Sequence, residues 1–474
     1  MTHTLDPRRP VHFVGIGGAG MSALAEILMA RGFRVSGSDI RNSKSISTLH
    51  RAGARITLQQ DSRAVKALRK DAPLPPLVVI SSAIQEDNPE LAAIRRAGDM
   101  EGIHRSDLLA DLLVSQPRSV LVAGSHGKTT TSTILSTILM EVGLDPTVVI
   151  GGVVPWLGSN GRHGGGDVAV AEADESDGTL VKFRPRIGII TNLELDHIDH
   201  YTDLSHLLHT MAEFGRNCQI LLTNGDCPVL SRHLPGTRQW SLDGTRSAHY
   251  HFSDIRCLGS GSEAVVHAGA ECLGPVFCPL AGAHNLANLA AALAAALELG
   301  IPFSALQNPC KTIRAPGRRF EFHSVVDGRL LVDDYAHHPS EVSATLAMAR
   351  AMVGNDKSSL PLTPRRLVVA FQPHRHSRTW NFLQEFARVL TAADEVLLLP
   401  VYSAGEKPIA GVSHTSLSRA IAAIGGTVHC FDDLEHLAQE FYSYTRPGDL
   451  VLAMGAGSIN RLPGLVHSAV PMAA

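Results

Sequence analysis

The stretch "LVAGSHGKTTTSTILSTILMEVG", from Leu121 to Gly143, decides how the chain is read. It runs as an apolar strand, then a turn bounded by glycines, then a helix opening at Lys128. A standard phosphate loop places four residues between its first glycine and Gly-Lys-Ser/Thr. Here Gly127-Lys128-Thr129 is present, but the first glycine is Gly124 and position 122 is Val, so the loop is shorter. The physics survives the shortening. Glycines let backbone N–H groups face an oxyanion, and a helix start adds further N–H groups and a partial positive charge. Lys128 brings a full charge for outer phosphates, and Thr129 a hydroxyl for a magnesium ion. Ser and Thr as ordinary helix caps account for one hydroxyl, not for Gly-x-x-Gly-Lys-Thr-Thr in one place. Gly124, Ser125, His126, Gly127, Lys128, Thr129 and Thr130 are therefore expected to cradle phosphate.

Two segments downstream extend that expectation. "VAVAEADESDGTL" (168–180) sets Glu172, Asp174, Glu175 and Asp177 after an apolar strand. A solvated charge run is the bland alternative. Carboxylates at the C-terminal end of a strand, however, sit on the edge where α/β sheets hold ligands, and magnesium takes one or two carboxylates beside phosphate oxygens. "IGIITNLELDHIDHY" (187–201) ends another apolar strand with a carboxylate run and His197. His197 beside that run is a candidate metal ligand or acid-base group, and with Lys128 and the carboxylates it makes a candidate site for phosphoryl transfer. "GSNGRHGGG" (158–166) reads as a flexible loop, in which Asn160 and Arg162 are placed to close over an anionic substrate.

Nearer the N-terminus, Gly15-x-Gly17-x-x-Gly20 follows one strand and precedes a helix, and Asp39 follows a second strand. This pattern serves a dinucleotide, but any ligand carrying a diphosphate can use the same nest, so NAD and a nucleotide sugar both stay open.

Around these motifs, strand-helix alternation recurs in three blocks, giving three α/β units in series. "RAPGRRF" (314–320) reads as a linker. The region 239–279 is β-like but irregular. The 474 residues allow about three domains, and the 44% apolar content supports a core in each. Lys plus Arg is 42 against Asp plus Glu 45, a net charge of −3, which gives no reason to expect nucleic acid or an anionic membrane as partner. The seven cysteines are scattered without a CxxC pair, so a zinc ribbon is not expected. That usage suits a reducing cytosol, the start MTHTLDPRRP is too polar for a signal peptide, and the Ala-rich run 286–299 reads as a buried helix. A cytoplasmic protein is expected.

The ordered motifs resemble the Mur ligase family over nearly the whole chain. They are GIGGAGMS (15–22), AGSHGKTT (123–130), EADESDGT (172–179), NLELDHIDHY (192–201), GAHNLANLAAA (282–292), RAPGRRFE (314–321), DDYAHHPSE (333–341), FQPHRHSRT (371–379) and VYSAGE (401–406). GxGGxGM followed by EADESD is similar to the branch acting on the muramate itself. The resemblance implies an α/β fold of three successive domains: a Rossmann-like N-terminal domain for a UDP-sugar (1–115), a P-loop-type central ATPase domain (116–314) and a Rossmann-like C-terminal domain for an amino acid (315–474). It implies ATP and two magnesium ions as cofactors. UDP-N-acetylmuramate, L-alanine and ATP are the implied substrates, handled by a monomer or homodimer. The lactyl carboxylate is expected to become an acyl phosphate that the alanine amine displaces. A ligase recycling the tripeptide onto the same UDP-sugar is the alternative.

Residue by residue, the resemblance assigns Lys128, Glu172 and His197 to catalysis, with Lys128 on the γ-phosphate of ATP, Thr129 and Glu172 on one magnesium and His197 at the second metal site, and it assigns His284, Asn285 and Asn288 to the adenine border. It assigns Arg318, Arg319, Asp333 and Asp334 to the nucleotide ribose or phosphates. Gly17, Gly18, Asp39, Ser82 and Arg105 fall to the UDP moiety, and Tyr335, His337, His374, Arg375 and Arg378 to alanine. Departures are Ser125 for a usual Thr, His376 for a usual Tyr, and Arg105-Ser-Asp-Leu-Leu for RAEML. An NAD-dependent dehydrogenase or a non-catalytic nucleotide-sugar binder leaves Lys128, Glu172 and His197 without a role.

Overall fold

The computed structural model describes residues 5–61, 63, 65, 74–196, 200–234, 238–244 and 248–468. His197, chosen above as catalytic residue and metal ligand, lies outside the described residues. The chain forms two compact units: one of residues up to 255 with 264–276 and 287–316, the other of 256–263, 277–286 and 317 onward.

Three sheets succeed one another along the chain, as the strand-helix alternation predicts. The first is a five-stranded, all-parallel sheet in the order Arg55–Thr57, Val35–Ser38, Val11–Val14, Leu77–Ile80, Glu101–His104. Strand Val11–Val14 is buried on both faces, with Val11, Phe13 and Val14 in the core and His12 buried against Glu90 at 2.7 Å. The chain winds away from it in both directions, so its C-terminal end is the switch point where such sheets hold ligands. The glycine turn 15–20 occupies that end, and the helix Ala19–Ala30 leaves from it.

The second sheet has ten strands, in the order Glu271–Cys278, Gly261–Ala268, Tyr250–Leu258, Arg238–Ser241, Ile220–Asn224, Ile187–Ile190, Arg118–Ala123, Val168–Glu172, Thr147–Val154, Ser159–Arg162. Strand Arg118–Ala123 lies between Ile187–Ile190 and Val168–Glu172, parallel to both. The three motifs read from the sequence therefore emerge side by side at one sheet edge. The irregular region 239–279 proves to be strands that extend this sheet. Segment 158–166 is corrected: Ser159–Arg162 is an edge strand, antiparallel to Thr147–Val154, rather than a flexible loop. Its small residues permit the pairing, because Gly161 packs where a Cβ would strike the backbone of Ala23.

In the second unit, the sheet order is Glu321–Val326, Arg329–Asp334, Asp449–Met454, Arg366–Phe371, Glu395–Leu398, Val428–Cys430, with only the first pair antiparallel. Leu330, Val332, Val369 and Phe371 fill one core, and Leu331, Val368 and Ala370 another, which is the two-sided burial that strand alternation produces. The Ala-rich segment is the helix Ala283–Glu298, with Leu286 and residues 289–296 buried. Among the described residues, no helix is long and apolar enough to cross a membrane.

Candidate active site

The phosphate turn begins where strand Arg118–Ala123 ends. Gly124 and Gly127 have φ of 120° and 83°, conformations that residues with a Cβ resist. Space is closed as well: a Cβ on Gly124 would strike the Thr191 hydroxyl, and one on Gly127 the side-chain oxygen of Asn288. The neighbouring strand end grips the turn. Ser125 N–H donates to the Asn192 carbonyl at 3.1 Å, and His126 N–H to the Asn192 side chain at 2.9 Å. The Ser125 hydroxyl donates to the Glu194 carbonyl and accepts from its N–H, each at 2.9 Å. A serine thus supplies the hydroxyl this position needs. Helix Lys128–Glu141 starts with no side-chain cap, which leaves its first-turn N–H groups and positive dipole end facing outward.

Lys128 is folded back over this turn. Its Nζ donates to the Gly124 carbonyl at 2.5 Å and pairs with Glu175 Oε1 at 2.8 Å. Burial works against the ammonium, but Glu175, Asp174 and Glu172 outweigh it and hold the lysine above its ordinary pKa. Glu172 Oε1 accepts from Gly151 N–H at 2.8 Å, and Thr129 bonds the same carboxylate. Burial pushes the Glu172 carboxyl up despite these donors and Lys128. Asn288, expected at the adenine border, is buried beneath the turn, where it accepts from Thr131 Oγ1 at 3.2 Å.

At the first sheet's switch point, Asp39 Oδ2 accepts from Gly17 N–H at 2.9 Å and Oδ1 from Arg41 N–H at 3.0 Å, so Asp39 closes the glycine turn beside Gly18. Arg105 pairs with Asp174 at 2.7 Å, and Ser82 Oγ donates to Asp177 Oδ2 at 2.6 Å. Against the desolvation of its surroundings, Arg105 and then Lys128 hold the Asp174 carboxyl well below the usual range. Asn160 and Arg162 are engaged by the protein itself: Asn160 is buried with its Nδ2 on the Ala19 carbonyl at 2.5 Å, and Arg162 is ion-paired with Asp145. An edge strand fixes both in place.

The second unit gathers its candidates from four segments. Arg318, at φ 61°, pairs with Asp333 at 2.9 Å and donates to the Gly455 carbonyl at 2.7 Å. The guanidinium groups of Arg318 and Arg319 lie 4.9 and 5.4 Å from the Tyr335 ring centre. Asp334 accepts from the N–H groups of Phe320 and Ala336 at 2.7 and 2.8 Å, so its oxygens organise the linker turn. Burial pushes both aspartates up, Asp333 against the pull of Arg318. His337 Nδ1 donates to the Tyr335 carbonyl or to Glu341, at 2.9 and 3.1 Å.

His374 stacks on Tyr402 at 5.6 Å and meets His337 edge-on at 5.7 Å. The buried Arg378 donates to His374 Nδ1 at 3.2 Å. A guanidinium only donates, so the neutral His374 ring carries its proton on Nε2. Burial, then His337 and Arg378, lower His374 to about 3; burial and Arg319 lower His284 to about 4. Asn285 Nδ2 donates to the Ala281 carbonyl at 2.7 Å. Arg375, at φ 70°, faces Glu406 at 3.5 Å, and Glu406 also accepts from the Ser377 hydroxyl at 2.7 Å.

With this geometry in view, comparison with known proteins is decisive. Three family models match in order: "Mur ligase family, catalytic domain" over 10–116, "Mur ligase middle domain" over 122–296, and "Mur ligase, glutamate ligase domain" over 318–457. The chain belongs to the Mur ligase family. This Mur ligase is 49% identical to a UDP-N-acetylmuramate–L-alanine ligase of Synechococcus sp. (strain RCC307), over 97% of this chain and 95% of the relative. It is 50% identical to the like-named ligase of Prochlorococcus marinus (strain MIT 9303), over 98% and 95%. Among solved structures, UDP-N-acetylmuramate-alanine ligase MurC from Thermotoga maritima superposes with a TM-score of 0.81 at 26% identity, covering 97% of this chain and 99% of that one. A murein peptide ligase from Psychrobacter arcticus shares the fold, at TM-score 0.72 and 22% identity over 98% of this chain and 100% of that one.

Some working parts of this Mur ligase escaped the sequence reading. Asn192 and Thr191 brace the phosphate turn, and Tyr402 and Glu406 support His374 and Arg375. Glu406 lies within the VYSAGE segment, which was its only available signal.

Proposed function

We infer that this chain is an ATP-dependent ligase that joins L-alanine to the lactyl carboxylate of UDP-N-acetylmuramate, a step of peptidoglycan precursor synthesis. Carboxylate and amine do not condense in water at neutral pH, so the acid must be activated. The lactyl oxygen attacks the γ-phosphorus of ATP, and ADP departs with the electron pair of the broken P–O bond. The alanine amine then attacks the acyl carbon. Inorganic phosphate leaves and the nitrogen gives up a proton as the amide forms. The observation that carries the reading is the braced turn Gly124–Lys128 beside Glu172, found in a chain 49–50% identical to alanine-adding ligases over almost their full length.

In this reading, residues 1–115 take the UDP-sugar, 116–314 take ATP and 315–474 take the amino acid. Lys128 turns one N–H from the Gly124 carbonyl to the γ-phosphate, and the first-turn N–H groups hold the remaining phosphate oxygens. Magnesium fits the residues present: Glu172 and Thr129 offer a carboxylate and a hydroxyl in contact, and burial leaves Glu172 short of positive charge. Bound there, the ion supplies charge neutralisation on the transferred phosphate. Arg318 is engaged by Asp333 at 2.9 Å and Arg319 by Glu341 at 3.7 Å, so the looser Arg319 pair is the one that yields to the nucleotide. Arg375 offers alanine's carboxylate a planar fork, and Arg378 fixes the His374 ring beside it.

Phosphate release tests the reading. With ATP and UDP-N-acetylmuramate, L-alanine should give turnover and the tripeptide of the recycling reaction none. Turnover with the tripeptide alone would replace alanine as substrate, and no release with either would defeat the ligase reading.

A further inference from the structure

The turn Asp174–Asp177 carries three acids, none of which the reading above uses in binding or chemistry. Two of them share one design. Asp174 commits Oδ1 to the Ser176 N–H at 3.0 Å and offers Oδ2 to Arg105 at 2.7 Å. Asp177 commits Oδ1 to the N–H and hydroxyl of Thr179, at 3.1 and 2.6 Å, and offers Oδ2 to the Ser82 hydroxyl at 2.6 Å. Between them, Glu175 directs Oε1 to Lys128 at 2.8 Å. Its backbone carbonyl is pinned by the buried Tyr201 hydroxyl at 2.6 Å. The Oδ1 atoms of Asp174 and Asp177 are fixed by their own turn, so these two acids hold their partners at set positions, and Glu175 is held through its backbone carbonyl.

The partners are informative. Ser82 and Arg105 lie just past the ends of strands Leu77–Ile80 and Glu101–His104 of the first sheet, where the UDP-sugar is placed; Lys128 belongs to the phosphate turn. Arg105 also lies across the start of helix Ala19–Ala30, since a Cβ on Gly20 would come within 2.9 Å of its NH1. The third glycine of the nest therefore makes room for a guanidinium. Arg105 has five N–H donors, and the Asp174 contact leaves several to face an anion at that helix start.

We propose that Asp174, Glu175 and Asp177 are positioning residues: Asp174 and Asp177 set Arg105 and Ser82 for the sugar nucleotide, while Glu175 sets Lys128 for the phosphoryl group. This rests on the ligase reading above. The turn acts through its partners, and each acid governs a different substrate. Asp174→Asn should raise the KM for UDP-N-acetylmuramate about tenfold, with kcat and the KM for ATP within about twofold of wild type. Glu175→Gln should lower kcat about tenfold and leave the KM for the sugar nucleotide within about twofold. Misplacement of a positioned group by a small distance is enough for effects of this size.

The test measures kcat and all three KM values for the full chain and the two variants. A double-mutant cycle then pairs Asp174→Asn with Arg105→Lys. The inference predicts split parameters and a double variant no worse than Arg105→Lys alone. Ser82→Ala, which removes only a hydroxyl, should repeat the Asp174→Asn pattern more weakly and serves if Asp174→Asn does not fold. Equal shifts in every parameter for both acids, or an additive cycle, would overturn the inference. Absence of any wild-type phosphate release would instead defeat the functional reading, so the two failures are distinguishable.

Discussion

The phosphate turn of the first unit and the arginine-histidine cluster of the second solve opposite electrostatic problems. The first must receive a polyanion, yet it is lined with carboxylates. Its solution is compensation: Lys128 sits on Glu175, Arg105 on Asp174, and Glu172 is left beside a hydroxyl and a backbone N–H. In the proposed reading the second receives a zwitterion. Burial keeps the His374 imidazole neutral, lowered to about 3, beside the guanidinium groups of Arg375 and Arg378. A site for phosphate and metal needs balanced charge of both signs. A site for an amino acid needs one fixed fork and quiet neighbours.

The sharpest way to break this comparison is Lys128→Ala. Removing the ammonium should lower ligation by at least about a thousandfold, the upper range for losing one preorganised charge. Binding of UDP-N-acetylmuramate without ATP, followed by calorimetry, should hold within a few-fold. The same change breaks the pair with Glu175, whose side chain is 3% exposed, and should lower the melting temperature. Unchanged turnover would remove Lys128 from the site.

Next in size is Gly127→Ala. A φ of 83° and the clash with Asn288 together predict a loss of about 1–3 kcal/mol and a turnover drop near a hundredfold, because the turn cannot keep its shape. Arg375→Ala should raise the KM for alanine about tenfold while moving that for ATP less than threefold. Equal effects on both would take Arg375 out of the amino-acid site.

The pH dependence of stability probes the neutral imidazoles. His374 has a folded pKa of about 3, below the ordinary value of 6.5, so the unfolded chain binds the extra proton between those limits. Its contribution is therefore complete above pH 6.5 and is lost as pH falls toward 3. The raised Asp333 and Asp334 act with the opposite sign at the acid end, so the difference between wild type and His374→Asn isolates the term. That difference in melting temperature should shrink on acidification; a constant difference would contradict a neutral His374. The smallest effect is expected for Arg162→Ala. Its guanidinium is held by Asp145 within an edge hairpin, so the KM for the sugar nucleotide should change less than about threefold.

Legibility in the sequence followed the same division. Phosphate-turn residues 124–130 are contiguous, and their glycines announce backbone geometry directly. The strands at 118–123, 168–172 and 187–190 are short apolar runs that parallel sheets require. By contrast, the hairpin Thr147–Arg162 was hidden, because paired glycines and "PWLGSN" interrupt its alternation and imitate a loop. Long-range pairings were out of reach as well. Arg105 and Asp174 stand 69 residues apart, and Asn288 reaches Thr131 across 157. Motif spacing reports what one element presents, not which distant side chain meets it. Asn288 shows the consequence, since a segment assigned to adenine also supplies the prop beneath the phosphate turn.

The central claim is that the braced lysine turn delivers a phosphoryl group to the sugar acid. Oxygen-18 in both lactyl carboxylate oxygens of UDP-N-acetylmuramate tests it directly, with mass analysis of the phosphate released after ligation to L-alanine. An acyl-phosphate route predicts one labelled oxygen in each phosphate, because the attacking oxygen leaves with phosphorus. Phosphate free of label would contradict the account.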